Sequence, residues 1–114
     1  KVVWREFPVL GPNSEQAAIA SLAAAKAGSF RTFHERLFAT ARPTDSAIAA
    51  ARAAADVPEP ELTPEFRQEL QRNFQLAQSI GASGTPTFVV GDRVLHGAVG
   101  YEALRDAVAE ARAR

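Results

Sequence analysis

A short segment near the C-terminal end, GTPTF at residues 84–88, carries the residues best suited to chemistry. Pro86 stands where an apolar, strand-like run begins, and a proline there donates no hydrogen bond to a neighbouring strand. The local sequence leaves two interpretations open. Pro86 either begins an ordinary edge strand or follows a cis bond, although only about 5% of X–Pro bonds in folded proteins are cis. Gly84 would allow another backbone to approach the segment closely.

The composition removes several other kinds of chemistry. None of the 114 residues is cysteine, so disulfides, thiolate metal sites and cysteine nucleophiles are excluded within this chain. The two histidines, His34 and His96, are far apart in the sequence and have no clear carboxylate partner. We therefore predict no metal site and no cofactor. His34 is predicted to be a surface or boundary residue of a helix, and His96 a half-exposed strand residue.

Charge and hydropathy indicate one soluble, globular domain over residues 1–114. Hydrophobic residues make up 46% of the chain, charged residues 23%, and thirteen basic residues balance thirteen acidic ones. This balance argues against nucleic acid as a main partner. No apolar run approaches the roughly 18–20 residues of a membrane span. Since the chain has no methionine and opens inside a strand-like run, we expect Lys1 to be a cut and not the natural start.

The periodicity predicts the order strand, four helices, strand, strand, helix. The first strand covers residues 2–10, and Gly11-Pro12 ends it. The predicted helix starts share a side-chain oxygen ahead of a helix-forming run, and they are Asn13 or Ser14, Thr44 or Asp45, and Thr63 before Pro64. The predicted helix ends are Gly28 for the first helix, the Arg42-Pro43 pair for the second, Ala55 for the third and Gly81 for the fourth.

The remaining patterns predict one core-facing stripe, a hairpin and a last helix. In the second helix, helical spacing groups Phe30, Phe33, Leu37 and Phe38 on one side, which we expect to face the core. A strand over residues 84–90, a tight turn at Gly91-Asp92 and a returning strand over residues 93–97 predict a hairpin. The last helix is predicted over residues 101–113.

The ordered set of these motifs resembles the DsbA family of thioredoxin-fold thiol–disulfide oxidoreductases, most closely its Com1-like bacterial branch. The motifs are REFPVLGP at residues 5–12 before an alanine-rich helix, FHERLF at residues 33–38 and GTPTF at residues 84–88. The resemblance covers essentially the whole chain. It implies an α/β, thioredoxin-like fold with an all-helical insertion at residues 13–81, followed by a cis-proline loop, hairpin and terminal helix at residues 84–113.

The same resemblance implies a substrate-binding role for Gly84, Thr85 and Pro86. Pro86 would be the cis-proline that faces the active-site dithiol, and Thr85 would pair its backbone with an extended substrate peptide, as in strand addition. The implied partners are proteins or peptides with thiols or disulfides, in the bacterial periplasm or cell envelope. Glu6 would be either a buried acid that affects the pKa of a thiol or a solvent-facing strand residue, and strand alternation favours the second.

The sequence departs from the family where the redox cysteines belong. The family's Cys-x-x-Cys lies on a helix after the first core strand, upstream of this chain, and neither that strand nor that helix has a counterpart here. Exchange requires a thiolate, so we expect this chain alone to be inactive. Because the absent strand would lie between residues 2–9 and 87–90, we predict one of three outcomes. These two strands pair directly, a second chain fills the gap through homodimerisation or strand exchange, or the absent part lies outside this sequence.

Two other functions stay open at this stage. A glutathione-using enzyme of the kappa-class transferase or chromene-carboxylate isomerase type shares the helical insertion and the proline loop, and it would use an upstream serine in place of cysteines. A cysteine-free thioredoxin-like module would only hold peptides at the Pro86 loop. The REFP and GTPTF segments favour the DsbA family.

Overall fold

Five helices and two strands make up the computed structural model, which describes residues 1–114. In chain order they are α1 Pro12–Ala27, α2 Phe30–Phe38, α3 Asp45–Ala54, α4 Pro64–Ser79, β1 Thr87–Val90, β2 Arg93–His96 and α5 Tyr101–Arg112. From α1 onward, this is the predicted order. The internal contacts define two compact units, residues 1–73 and residues 74–114. Every helix is too short or too polar to cross a membrane.

The core of the unit 1–73 forms where alanine-rich helices meet. Phe33 of α2 is 1% exposed and is the largest side chain buried so completely. Ala24 of α1 and Ala51 of α3 have no exposed surface and pack in the same cluster, because side chains this small let the helices approach the phenyl ring closely. A second cluster joins α1 to the start of α4 through Ile19 and Phe66.

Two of the three predicted helix starts are confirmed by their hydrogen bonds. The Thr44 hydroxyl oxygen accepts a hydrogen bond from the backbone N–H of Ala47 at 3.2 Å. The Thr63 hydroxyl oxygen accepts one from the N–H of Phe66, also at 3.2 Å. Each threonine thus satisfies one of the backbone donors that the first turn of a helix leaves free.

The predicted start of α1 is wrong. The helix begins at Pro12 with Gly11 as its N-cap, and no side chain caps it, so neither Asn13 nor Ser14 has the expected role. Proline suits the first helical position because its fixed φ already matches the helix and its missing N–H would be unpaired there anyway. The predicted end is confirmed, since Gly28 adopts a left-handed conformation with φ of 82°.

The apolar stripe of α2 faces the core only in part. Phe33 is buried and Leu37 packs against the same cluster, whereas Phe38 is 74% exposed and therefore contradicts the prediction. Phe30 and Phe38 lie four residues to either side of His34, so they share its face of the helix and not that of Phe33. The wide stripe read from the sequence thus divides between two faces.

The predicted strand at residues 2–10 is not formed. The sheet contains β1 and β2 alone, so direct pairing with residues 87–90, the first of the three alternatives, is not observed. A strand forms only where a neighbouring backbone supplies its ladder of hydrogen bonds, and residues 2–10 belong to no sheet. Side chains hold the segment instead, as in the hydrogen bond from the Asn73 amide to the carbonyl oxygen of Glu6 at 2.9 Å. A second chain or an additional strand beside it stays a prediction.

The predicted hairpin is confirmed in the unit 74–114. Strands β1 and β2 are antiparallel with Val90 opposite Arg93, so Gly91 and Asp92 form the two-residue connection. Gly91 has φ of 61°, which a turn this tight requires and glycine adopts at little cost. One step beyond the strands, the N–H of Gly97 donates to the carbonyl oxygen of Pro86 at 2.8 Å.

Helix α5 packs against the hairpin end of the same unit. Arg93 of β2 forms an ion pair with Glu110 of α5 at 2.9 Å, and a Cβ on Gly91 would lie 3.2 Å from the Cβ of Ala111. Ala107 is 1% exposed, whereas Tyr101 is 78% exposed. The covered face of the helix is therefore centred on Ala107, with Leu104 and Ala111 half-buried on the same side.

Candidate functional site: the Gly84–Thr87 loop

The loop that precedes β1 is held at both ends by hydrogen bonds to its carbonyl groups. At one end the Thr87 hydroxyl donates to the carbonyl oxygen of Gly84 at 2.8 Å. At the other end the N–H of Gly97 donates to the carbonyl oxygen of Pro86 at 2.8 Å. The Thr85–Pro86 peptide bond between them is cis. The three predicted site residues therefore form one short, tied loop.

Thr85 is the residue of this loop that remains available to a ligand. Thr85 and Pro86 are exposed, while Gly84 is half-buried. Neither the N–H nor the C=O of Thr85 has a hydrogen-bond partner within the chain. An exposed, unpaired backbone donor and acceptor on one residue match what an extended peptide offers, since strand addition pairs such groups across two backbones.

His96 lies beside the loop and adds no evident catalytic group. It is directly opposite Thr87 in the hairpin and is exposed. No three-residue group of histidine, aspartate, glutamate or cysteine is placed to hold a metal ion anywhere in the chain. The groups that the loop leaves unpaired are therefore the backbone N–H and C=O of Thr85.

His34 belongs to an aromatic cluster in the unit 1–73. Its ring centroid lies 4.5 Å from that of Trp4, 4.3 Å from that of Phe38 and 5.3 Å from that of Phe30. His34 is half-buried, as the prediction of a boundary histidine requires. The ring contacts explain the position through packing and assign it no chemistry.

Glu6 differs most from its predicted role. The prediction that it faces solvent is wrong, because its side chain is half-buried and accepts a hydrogen bond from the Ser21 hydroxyl at 2.5 Å. Burial raises the pKa of Glu6 above its ordinary value, and the Ser21 hydrogen bond opposes this rise. Strand alternation could not reveal this environment, because residues 2–10 do not form the strand on which the alternation depended.

Sequence reasoning also missed the two groups that tie the loop. Neither the Thr87 hydroxyl nor the N–H of Gly97 was assigned a role from the sequence. The spacing of Thr87 three residues after Gly84 was the available signal, since serine and threonine hydroxyls often bond to backbone groups a few residues away. Nothing in the local sequence marked the N–H of Gly97, because its bond depends on the hairpin register.

The chain is similar to thioredoxin-like proteins both in sequence and in structure. The sequence pattern of the family described as "DSBA-like thioredoxin domain" matches residues 2–109. The crystal structure of Proteus mirabilis ScsC in a compact conformation superposes with a TM-score of 0.88 at 31% identity, covering 100% of this chain and 66% of that one. A thioredoxin-like oxidoreductase from Silicibacter pomeroyi DSS-3 gives a TM-score of 0.89 at 33% identity, covering 98% of this chain and 68% of that one.

A curated relative is much longer than this chain. A protein of Salinispora tropica named Na(+)/H(+) antiporter NhaA 3 is 35% identical over 125 aligned residues. The alignment covers 97% of this chain but 18% of the antiporter. The chain therefore corresponds to a minor part of that protein, and to just under two thirds of the Proteus structure.

Proposed function

Because this chain belongs to the DSBA-like thioredoxin domain family, we propose that its Gly84–Thr87 loop holds an extended segment of a protein substrate during thiol–disulfide exchange. The substrate segment lies beside Thr85 and pairs with its backbone. Side-chain identity matters little for such pairing, because every residue except proline offers the same backbone donor and acceptor. Extended or partly unfolded proteins are therefore the substrate class.

The unpaired backbone of Thr85 carries this proposal. It lies between two carbonyl groups that are already hydrogen-bonded, those of Gly84 and Pro86. A loop held in this way loses little further freedom when a peptide binds, and a preorganised site keeps more of its interaction energy as affinity. The exposed position also leaves space for a second backbone.

The redox step requires groups that this chain does not contain. In exchange, a thiolate attacks one sulfur of a disulfide, a mixed disulfide forms and the other sulfur leaves as a thiolate. None of the 114 residues is cysteine. We propose that cysteines outside these residues perform the step, and that the present chain contributes substrate positioning. Its proposed location is the bacterial periplasm or cell envelope, where such exchange is common.

A second candidate is peptide binding without redox chemistry. The absence of cysteine favours it, because the Gly84–Thr87 loop would bind peptides whether or not a thiolate stood nearby. The similarity to the thioredoxin-like oxidoreductase of Silicibacter pomeroyi favours the first candidate over the glutathione-using transferases. Ion transport is not proposed, since the similarity to the Salinispora antiporter covers 18% of that protein.

A titration followed by amide NMR tests the binding site. The chain labelled with ¹⁵N is mixed with a short synthetic peptide from the insulin B chain, whose cysteine is carboxamidomethylated to prevent covalent reaction. We expect the largest shift changes at Thr85 and its neighbours, and much weaker binding of the same peptide with alternate backbone amides N-methylated. Shifts confined to the unit 1–73, or equal binding of both peptides, would refute the proposed site.

An insulin reduction assay tests the redox part separately. With dithiothreitol as reductant, we expect the chain alone to leave the rate of insulin precipitation at its uncatalysed value. Acceleration by the purified chain would contradict the need for external cysteines. Binding without acceleration agrees with both candidates, and a version of the protein that includes a Cys-x-x-Cys then separates them, because only the first predicts catalysis.

A further inference from the structure

We infer that Thr87 is a positioning residue, whose hydroxyl fixes the backbone of Thr85 in the orientation that receives the substrate peptide. This inference rests on the proposed function and adds a specific side chain to it. Thr87 does not touch the substrate in this scheme. It acts on the residue that does, through the hydrogen bond to the carbonyl oxygen of Gly84 at 2.8 Å.

The two hydrogen bonds that hold the loop differ in what they require of the sequence. The bond from Gly97 to Pro86 uses a backbone N–H and therefore needs no particular side chain, although the φ of 81° at Gly97 favours glycine there. The bond to Gly84 uses a side-chain hydroxyl, so it exists only with serine or threonine at position 87. The first half of the loop thus depends on one side chain.

Gly84 makes that dependence stronger. Glycine has the widest choice of backbone conformations, and no atom would lie within 4 Å of a Cβ added at this position. Neighbouring side chains therefore do not confine the backbone here. When the Thr87 hydroxyl is removed, the carbonyl of Gly84 is free to turn, and the N–H of Thr85 turns with it because both belong to one planar peptide unit.

The peptide unit between Gly84 and Thr85 connects the Thr87 hydroxyl to the backbone N–H of Thr85. The carbonyl of Gly84 and the N–H of Thr85 lie in the same peptide plane and point in opposite directions, because the bond between these residues is trans. Fixing the oxygen by a hydrogen bond to Thr87 fixes the direction in which Thr85 donates. The hydroxyl therefore sets the donor direction before any peptide arrives, which reduces the ordering that binding would otherwise require.

Three substitutions test the inference. Thr87→Val keeps the shape of the side chain and removes the hydroxyl, whereas Thr87→Ser keeps the hydroxyl. Thr40→Val is the matched control, because the Thr40 hydroxyl makes the same kind of bond, to the carbonyl oxygen of Leu37 at 2.7 Å, in the other unit. Circular dichroism first establishes that each variant is folded, and Thr87→Ala replaces Thr87→Val if valine prevents folding.

The readouts are backbone order and peptide affinity. By ¹⁵N relaxation, we expect the order parameter of the Thr85 amide to fall in Thr87→Val and to stay near the wild-type value in Thr87→Ser and Thr40→Val. Affinity for the carboxamidomethylated insulin peptide is expected to weaken roughly 2- to 10-fold in Thr87→Val, the effect of losing one ordinary hydrogen bond. The other two variants are expected to bind within about twofold of the wild type.

The outcomes separate the two claims. If the wild type binds no peptide at Thr85, the proposed function fails, whatever the variants do. An unchanged Thr85 order parameter in a folded Thr87→Val variant overturns the inference about Thr87, even if the peptide binds. Equal weakening by Thr87→Val and Thr87→Ser also overturns it, because serine restores the hydroxyl.

Discussion

The Ser21 hydroxyl donates a hydrogen bond to the Glu6 carboxylate at 2.5 Å. Ser21 is 6% exposed, so this contact holds a carboxylate against the side of α1 where water has little access. No basic side chain forms an ion pair with Glu6. The Ser21 hydroxyl is thus the hydrogen-bond partner of the Glu6 carboxylate, and burial disfavours the charged form of this group. The N-terminal segment therefore contributes a titratable group to the unit 1–73.

This environment predicts a pH dependence of stability. Burial raises the pKa of Glu6 in the folded state above the ordinary value of 4.5. The folded state then binds the proton more tightly than the unfolded state, so the associated stability is fully present below the ordinary pKa and is lost as the pH rises through the folded pKa. One such group changes the unfolding free energy by at most about 1.4 kcal/mol per pH unit.

Urea unfolding of the wild type and of Glu6→Gln between pH 4 and pH 8 measures this effect, because the range begins below the ordinary pKa of 4.5 and extends well above it. Glutamine keeps a carbonyl oxygen for Ser21 and cannot ionise, so the difference in stability between the two proteins should shift in favour of Glu6→Gln as the pH rises. Glu61→Gln, at an exposed position, serves as the control. A pH-independent difference for Glu6→Gln would contradict the assigned burial.

Asn73 is expected to anchor the N-terminal segment. Its Oδ1 accepts a hydrogen bond from Arg5 and its Nδ2 donates to the carbonyl oxygen of Glu6, both at 2.9 Å, while the residue is 4% exposed. Asn73→Ala removes both bonds and takes this donor away from the carbonyl oxygen of the half-buried Glu6, which should lower the unfolding free energy by about 1–3 kcal/mol. Chemical denaturation measures this loss.

Limited trypsin digestion distinguishes an anchor from a general stabiliser. If Asn73 holds the segment, cleavage after Arg5 should be faster in Asn73→Ala under conditions where the rest of the protein stays folded. Asn13→Ala, at an exposed asparagine, should leave both the stability and this cleavage rate unchanged. Equal cleavage in the two variants would mean that other contacts hold residues 1–9.

Two phenylalanines of α2 should differ sharply in their contribution to stability. Phe33→Ala opens a cavity in the main core cluster and should lower the unfolding free energy by about 3–5 kcal/mol. Phe38→Ala removes a side chain that is 74% exposed, so its cost should stay within about 1 kcal/mol. Comparable losses in the two variants, measured by urea unfolding, would show that the aromatic cluster around His34 is itself a second core.

The helix caps offer a further matched pair. Thr44→Ala removes the hydroxyl oxygen that accepts from Ala47, and should lower the unfolding free energy by about 0.5–2 kcal/mol. Asn13→Ala should cost almost nothing, because α1 starts at Pro12 without a side-chain cap. Thermal unfolding of both variants checks this, and a larger loss for Asn13→Ala would favour the cap expected from the sequence over the observed one.

The predictions from sequence succeeded where neighbouring residues decide the structure. The Gly91-Asp92 turn, the Thr44 and Thr63 caps and the helix end at Gly28 all depend on a few consecutive residues. The DSBA-like family was also recognisable from the sequence, because its motifs occur in a fixed order along the chain.

Only part of the Gly84–Thr87 loop could be predicted from the local sequence, and the rest depends on the tertiary structure. The sequence placed Gly84, Thr85 and Pro86 in one segment. It could not show that the carbonyl groups on either side of Thr85 are both occupied, since one partner is the N–H of Gly97, brought there by the hairpin. The unpaired state of the Thr85 backbone is a property of that arrangement.

By itself, the sequence determined the order of the helices, the hairpin, the absence of a thiol and the position of the candidate loop, because composition and short-range spacing dictate each of them. Only the tertiary structure decided that residues 2–10 form no strand, that Glu6 is half-buried beside Ser21 and that Phe38 faces solvent. A strand exists only when a second backbone pairs with it, and burial only when distant segments pack together. Neither condition can be predicted from the residues of that segment alone.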